Sequence, residues 1–223
     1  MGDGIINING SNVETLQILL LTTLITLLPS IIVMMTSFTR YIVVFSFLRS
    51  AMGTQQTPPN MVLVGLALFL TLLTMAPVIS QIQTDAYEPY VNEEITQEEF
   101  VQRAEVPLKD FMIRNTETGT LEMFCDLAQV DVPEDLTVET AEDLPMTVIV
   151  PSFMTCELKR AFEIGFLLYI PFMLIDIVVS STLMSMGMIM LPPSMISMPF
   201  KLLLFISLNG WELLFSTLVK GFN

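Results

Sequence analysis

The stretch G-T-Q-Q-T-P-P-N-M-V-L-V-G-L-A-L-F-L-T-L-L-T-M-A-P-V-I-S-Q-I, Gly53 to Ile82, joins a turn to a run without a single charged residue. A helix that crosses a bilayer needs about 20 consecutive apolar residues, and Met61 to Ile82 supplies them in one piece. The turn ahead of it has assignable parts. Gly53 suits the left-handed residue after a helix end, Thr57 suits the cap of the next helix, and Pro58 suits a first-turn position where a missing N–H costs nothing. Together with Pro59 they predict a rigid turn between two helices, a helical hairpin.

Working outward, the same signal recurs. Thr15 to Thr39, Ile177 to Phe200 and Leu202 to Trp211 also carry no charge, in a chain that is 52% hydrophobic and only 14% charged. Lipid is therefore the solvent to expect. A first hydrophobic segment runs from about Leu16 to Leu48, long enough to need a bend, and Pro29 offers one by removing a helix hydrogen bond. Arg40 and Arg49 near its far end place that end in the cytoplasm, and the N-terminus outside. The N-terminal stretch lacks a basic region like that of a secretory signal, so Leu16 onward is read as structure. Segment two is Met61 to Ile82. Segment three enters through Glu157, Lys159, Arg160 and Glu163, spaced to pair as Glu157 with Arg160 and Lys159 with Glu163. Asp176 lies deeper in it; an intramembrane carboxylate is either a functional or intersubunit site, or is neutralised inside the fold. Segment four, Met198 to Val219, holds Lys201, with Trp211 as an interfacial anchor.

The net charge of −14 is concentrated in one place. Between Asp85 and Asp143 there are 17 acidic residues and three basic ones (Arg103, Lys109 and Arg114), a balance of −14, and the rest of the chain is neutral. An acidic insert between hydrophobic halves belongs on the non-cytoplasmic side, because cytoplasmic loops are enriched in Lys and Arg. The insert reads as helical. Thr96 with Glu99 fits a capping box, and Leu108, Phe111 and Met112, then Leu121, Phe124, Cys125 and Ala128, follow the spacing of apolar helix faces and would form a small core. Val130 to Pro145, rich in acids, threonines and prolines, reads as a loop. The organisation expected is a hydrophobic hairpin over 1–82, an acidic insert over 83–150 and a second hairpin over 151–223.

Several functions are excluded or disfavoured. Without histidine, Cys125 and Cys156 do not make a zinc set; they form either one bridge or two separate buried thiols. No metal or other cofactor is expected. Ser180, Ser181 and Ser185 have no base nearby in sequence, so an enzyme is not expected. There is no phosphate-binding loop, and nothing basic to hold a nucleic acid. A small-ion channel or transporter would want charges at a midplane site or inverted repeats, and Asp176 alone is thin support.

One stretch is harder to read as core. L-M-S-M-G-M-I-M-L-P-P, Leu183 to Pro193, alternates methionine with other residues around Gly187. A helix that needed only volume would use Leu or Val, which specify packing better than a flexible thioether. Gly187 weakens the helix and Pro192-Pro193 stops it. Irregular backbone at membrane depth survives only where it is buried in protein or lines a cavity, so Met186, Met188, Ile189 and Met190 are candidates for the lining of a pore. The alternatives are a Met-rich core or a helix interface.

M-T-S-F-T-R (Met35 to Arg40), the turn and run beginning at Gly53, G-M-I-M-L-P-P (Gly187 to Pro193) and P-F-K-L-L-L-F (Pro199 to Phe205) together resemble the FliP/SctR family of type III secretion export-gate subunits. That resemblance implies an all-α membrane protein whose hairpins assemble, about five copies in a closed symmetric oligomer, with FliQ, FliR and other export-apparatus proteins. The assembly is a cone-shaped gate in the bacterial inner membrane, at the flagellar basal body, through which unfolded flagellar proteins leave. Virulence injectisomes use a similar subunit. It also implies that Glu157 and Lys201 match a glutamate and a lysine that pair in the assembly. In a plain four-span chain those two stand at opposite membrane faces, about 30 Å apart, so such a pair calls for an unconventional fold or a neighbouring subunit.

Overall fold

A computed structural model of the chain describes residues 5–8, 11–54, 56–131, 143–188 and 190–222. Helix dominates it. The exception is a short antiparallel hairpin, β1 (Ile5–Ile8) with β2 (Ser11–Glu14), in which Ile5 stands opposite Glu14. The all-helical expectation misses this pair, which β-branched Ile5, Ile6, Ile8 and Val13 favour.

The first hydrophobic segment divides into α1 (Thr15–Met34) and α2 (Phe38–Met52). The break is not at Pro29, where α1 runs on as helix. It falls at Met35–Ser37, where the Thr36 hydroxyl donates to the Val33 carbonyl at 2.8 Å and accepts from the Phe38 N–H at 3.4 Å. A hydroxyl that satisfies nearby backbone groups competes with the helical ladder. After α2 the chain turns on Gly53, at φ +74°, whose N–H returns to the Ser50 carbonyl at 3.1 Å. The next helix, α3 (Asn60–Ile82), starts later than expected. Pro59 stands at its N-cap, so Pro58 is not in the first turn and Thr57 does not cap it. The cause is the proline pair itself, because a residue followed by proline is pushed out of the helical region and Pro58 is such a residue.

From α3 the helix continues through a π turn (Gln83–Tyr87) into α4 (Glu88–Val91), so the second segment is one helix of 32 residues, Asn60–Val91. The insert follows as α5 (Gln97–Arg114) and α6 (Thr118–Ala128). Then comes the longest element, α7 (Met146–Ser185), 40 residues. The chain closes with α8 (Pro193–Ser207) and α9 (Gly210–Lys220), which meet at 63° across Leu208 and Asn209. Among the described residues two helices are long and apolar enough to cross a membrane, or three if the bent α8–α9 pair is one span. Of the four segments of the sequence reading, the second and third are each one such helix, Thr36 divides the first, and Asn209, at φ +48°, turns the last.

The core runs along the contact of α2 with α7. Arg40, Val44 and Leu48 face it from α2; Ile149, Phe153, Glu157, Ala161 and Gly165 face it from α7, one every four residues, so they share one helical face. The two helices come very close. A methyl group on Gly165 would stand 2.5 Å from the ring of Phe47, so no larger residue fits there without displacing it. A second cluster joins the insert to the hydrophobic helices: Phe111, Met112, Leu121 and Cys125 pack on Met75 and Val78 of α3 and on Val148, Ile149 and Phe153 of α7. The insert helices are thus seated on the ends of the long helices and share their core. Leu108 and Phe124 flank this cluster, while Ala128 is exposed and takes no part. Cys125 and Cys156 are both buried and unbridged. Most of the loop expected over Val130–Pro145 lies outside the described residues.

The capping box at the start of α5 is formed in full. The Glu99 N–H donates to the Thr96 hydroxyl at 3.3 Å and the Thr96 N–H donates to the Glu99 carboxylate at 2.8 Å. The backbone bond from Thr96 first, then its hydroxyl, holds the Glu99 carboxyl below its ordinary value. A depressed folded pKa contributes stability above the unfolded value and loses it as pH falls through the folded one. Protection factors of the amides in the first turn of α5, which are corrected for the intrinsic exchange rate, should therefore be high at neutral pH and fall on acidification past the ordinary carboxylate range. Glu99→Gln should flatten that pH dependence; a wild-type profile in the variant would mean the box does not hold the turn.

Candidate functional site: two charge knots and a methionine loop

The buried charged residues of the hydrophobic helices, Arg40, Glu157 and Lys201, are gathered into two knots. In the first, Arg40 on α2 meets Glu157 on α7 through both carboxylate oxygens; Nε donates to Oε2 at 2.8 Å and Nη2 to Oε1. Neither side chain reaches solvent, at 2% and 0% exposure. A third Arg40 donor and the face of the guanidinium are also used. Nη1 donates to the Gly221 carbonyl at 3.0 Å, and the guanidinium lies 3.4 Å over the Phe222 ring. Phe222 in turn stacks on Phe111 of the insert, centroids 5.9 Å apart, and meets Tyr41 edge-on at 5.7 Å. One planar cation thus ties together α2, α7, the residues after α9 and the insert. Arginine suits this place because its fork matches a carboxylate and its face matches an aromatic ring.

The second knot holds Lys201 of α8, whose ammonium donates to Asp176 Oδ2 at 2.7 Å and to the Ala51 carbonyl at 3.0 Å. The cation sits against the last turn of α2, where unpaired carbonyls carry partial negative charge. Lys201 is buried, but the Asp176 side chain is 42% exposed and keeps a face to its surroundings. The chain therefore brings Asp176 and Lys201 together and pairs Glu157 with Arg40; a Glu157–Lys201 pair does not form within one chain. Glu157 and Arg160 approach to 3.8 Å at the expected spacing. Lys159 turns instead to Glu117, at 2.8 and 2.9 Å, and not to Glu163. That bond holds the Glu117 carboxyl below its ordinary value and fastens the start of α6 to α7. Trp211 stands edge-on against Phe205, centroids 5.2 Å apart.

The methionine stretch is where α7 ends. The Met188 N–H reaches the Leu183 carbonyl at 3.1 Å and the Gly187 N–H the Met184 carbonyl at 3.0 Å, with Gly187 at φ +75°. This is a Schellman termination, which needs a residue that tolerates the left-handed region. The helix is stopped by Gly187 and the chain is redirected before Pro192 caps α8. Among the described residues of this stretch only Leu183 is buried. Met184, Met186, Met188 and Met190 are all exposed, Met190 almost completely at 99%. Beside them an apolar groove of about 550 Å³ is lined by Leu174, Val178, Met186, Ile196 and Phe200. Ile189 lies outside the described residues. Gly53, Thr57 and Ser194 line a separate polar cavity, so the α2–α3 turn stands beside the start of α8. Among the described residues no group of His, Cys, Asp or Glu could hold a metal ion.

Arg40 is the residue that sequence reasoning placed only as a topological marker. Its signal was present, since it stands four residues before Val44 and eight before Leu48 on an apolar stripe, where a solvated arginine does not belong.

Spanning-length apolar helices whose interior charges are paired within the chain define a helical integral membrane protein. The family model described as the FliP family matches residues 20–218, and the chain belongs to that family. Flagellar biosynthetic protein FliP of Aquifex aeolicus is 49% identical over 214 residues, covering 96% of this chain and 88% of that protein. The FliP of Bacillus subtilis is 48% identical over 209 residues (94% and 92%), and that of Caulobacter vibrioides 44% over 228 residues (100% and 84%).

Proposed function

We propose that the chain is a core subunit of the flagellar type III protein export gate, a non-enzymatic membrane component that acts with FliQ and FliR. About five copies close into a ring, and unfolded flagellar proteins cross the inner membrane through its centre. The observation that carries this reading is the loop from Met186 to Met190, which terminates a 40-residue helix with its thioethers facing away from its own core. A seal that excludes ions at rest yet passes chains of arbitrary sequence needs apolar side chains that rearrange without a fixed partner. Methionine meets both requirements. The flagellar names of the relatives favour this system over the injectisome. An ion-transport role loses its one midplane charge, because Asp176 is already neutralised by Lys201.

Within this reading the hydrophobic parts, 1–82 and 151–223, build the gate, and the acidic insert, 83–150, is periplasmic and contacts other proteins. Asp176 uses its exposed face to accept a donor from a neighbouring subunit, while Glu157 acts inside its own chain. Native mass spectrometry of the detergent-extracted complex should show several copies of the chain with small helical partners; a bare monomer or dimer would exclude the gate. A cysteine at Leu127, exposed on α6, should react with a membrane-impermeant thiol reagent in intact spheroplasts. The native thiols are buried and give little background. Reaction only after permeabilisation would invert the topology.

A further inference from the structure

Three arginines converge where the insert meets the long helices, and one of them is poorly used. Arg160 is two-thirds buried, with 31% of its side chain exposed, and among the described residues its only ion-pair contact is the 3.8 Å approach to Glu157 Oε1, an oxygen that Arg40 already occupies. It makes no hydrogen bond among those residues. A guanidinium carries five N–H donors, and leaving them unmade in a partly desolvated place is costly.

Arg160 lines a cavity of about 560 Å³, and so does Arg114 of α5. Arg114 spends Nε on Asp110 Oδ1 at 2.7 Å and has its two terminal nitrogens free among the described residues. Asp110 is the one carboxylate on the cavity wall, and Glu157 behind it is consumed by Arg40. The remaining walls include Val78 and Gln81 of α3, Phe111, Asn115 and Phe222. The cavity is cationic at one side and apolar at the other, and it lies beside the segment that holds the whole negative excess. Its depth is fixed by the sequence. Gln81 is where the apolar run of α3 gives out, and Arg160 lies in the charged entry of α7, one turn before Glu163, beyond which the helix is apolar as far as Asp176. That level is the polar headgroup layer of a bilayer spanned by these helices.

We propose that this cavity binds the phosphate of an anionic phospholipid, held by Arg114 and Arg160, with the acyl chains leaving along Val78 and the exposed flank of α3. Guanidinium forks match phosphate oxygens two at a time, and basic pockets between membrane helices hold lipid headgroups in this way. The proposal is independent of whether the chain is a gate subunit.

The test uses the full chain in detergent, washed free of lipid and given phosphatidylglycerol, phosphatidylcholine or inorganic phosphate. Native mass spectrometry reads retention. Phosphatidylglycerol should be retained about tenfold better than phosphatidylcholine, the double variant Arg114→Gln/Arg160→Gln should lose that preference, and Arg160→Lys should keep part of it through charge alone. Circular dichroism checks the fold, which Arg40–Glu157 should maintain in each variant. Equal retention of the two lipids, or an unchanged preference in the double variant, overturns the proposal. Inorganic phosphate that displaces the lipid at equal concentration would make the site one for a free anion and not for lipid. A double variant that keeps its lipid but loses its oligomer would assign the arginines to a carboxylate of a neighbouring chain, and also overturns it.

Discussion

Glu157→Ala is expected to destabilise the chain by roughly 3–5 kcal/mol, the cost of leaving a buried charge without its partner. That is a large part of the stability of an ordinary domain. The magnitude follows from where the pair sits. Arg40 is 2% exposed, and without Glu157 its guanidinium retains only the Gly221 carbonyl and the Phe222 face, both neutral. By contrast, a solvent-exposed pair such as Lys159–Glu117 is screened by water and contributes little. Because Arg40 also fixes Phe222 against Phe111, the loss should loosen the insert as well as the α2–α7 contact, and less protein should accumulate in the membrane. Replacing both charges by apolar side chains of similar volume, Arg40→Met with Glu157→Leu, should recover much of the loss, since an absent pair costs less than half of one. Thermal unfolding in detergent, followed by circular dichroism, reads all three. A Glu157→Ala chain that unfolds with the wild type would show that the pair does not hold α2 to α7.

Local features were legible in the sequence and long-range ones were not. Thr96 and Glu99 announce their capping box because both partners lie within one turn, and Phe111, Met112, Leu121 and Cys125 announce an inward face by spacing alone. Gly53 and Gly187 mark helix ends whose left-handed geometry few other residues tolerate. Local rules misled where two of them competed. Pro58 fits a first helical turn until Pro59 behind it forbids that conformation, and Pro29 draws attention from Thr36, whose hydroxyl ends α1 more effectively. What spacing could not provide is partnership across the fold. Arg40 and Glu157 each stand on an apolar stripe, which says that each needs a partner but not which one. Lys201 could equally have been assigned to Glu157 as to Asp176 until α8 was seen to fold back beside the end of α2. Phe222 gives no sequence sign of its place under Arg40.

The methionine loop carries the second large effect. Met186, Met188 and Met190 are exposed, so shortening them to alanine removes little packing within the chain, and Ile189 is grouped with them by sequence. Surface changes of this kind usually alter stability by about 0.5 kcal/mol or less. The oligomer should form as before. The resting barrier to ions should not survive, because a hydrophobic constriction excludes water only while apolar side chains narrow it. Leu183 is the contrast: it is buried, and its truncation should cost stability without the same leak. The measurement closest to the central claim is the ion conductance of the purified, correctly assembled complex in a planar bilayer, wild type against Met186→Ala/Met188→Ala/Ile189→Ala/Met190→Ala. The account predicts a closed wild-type complex and a variant that conducts roughly an order of magnitude or more above background through a dewetting gate that no longer closes. An assembled variant that remains as tight as the wild type would contradict it, and would place the seal outside this loop.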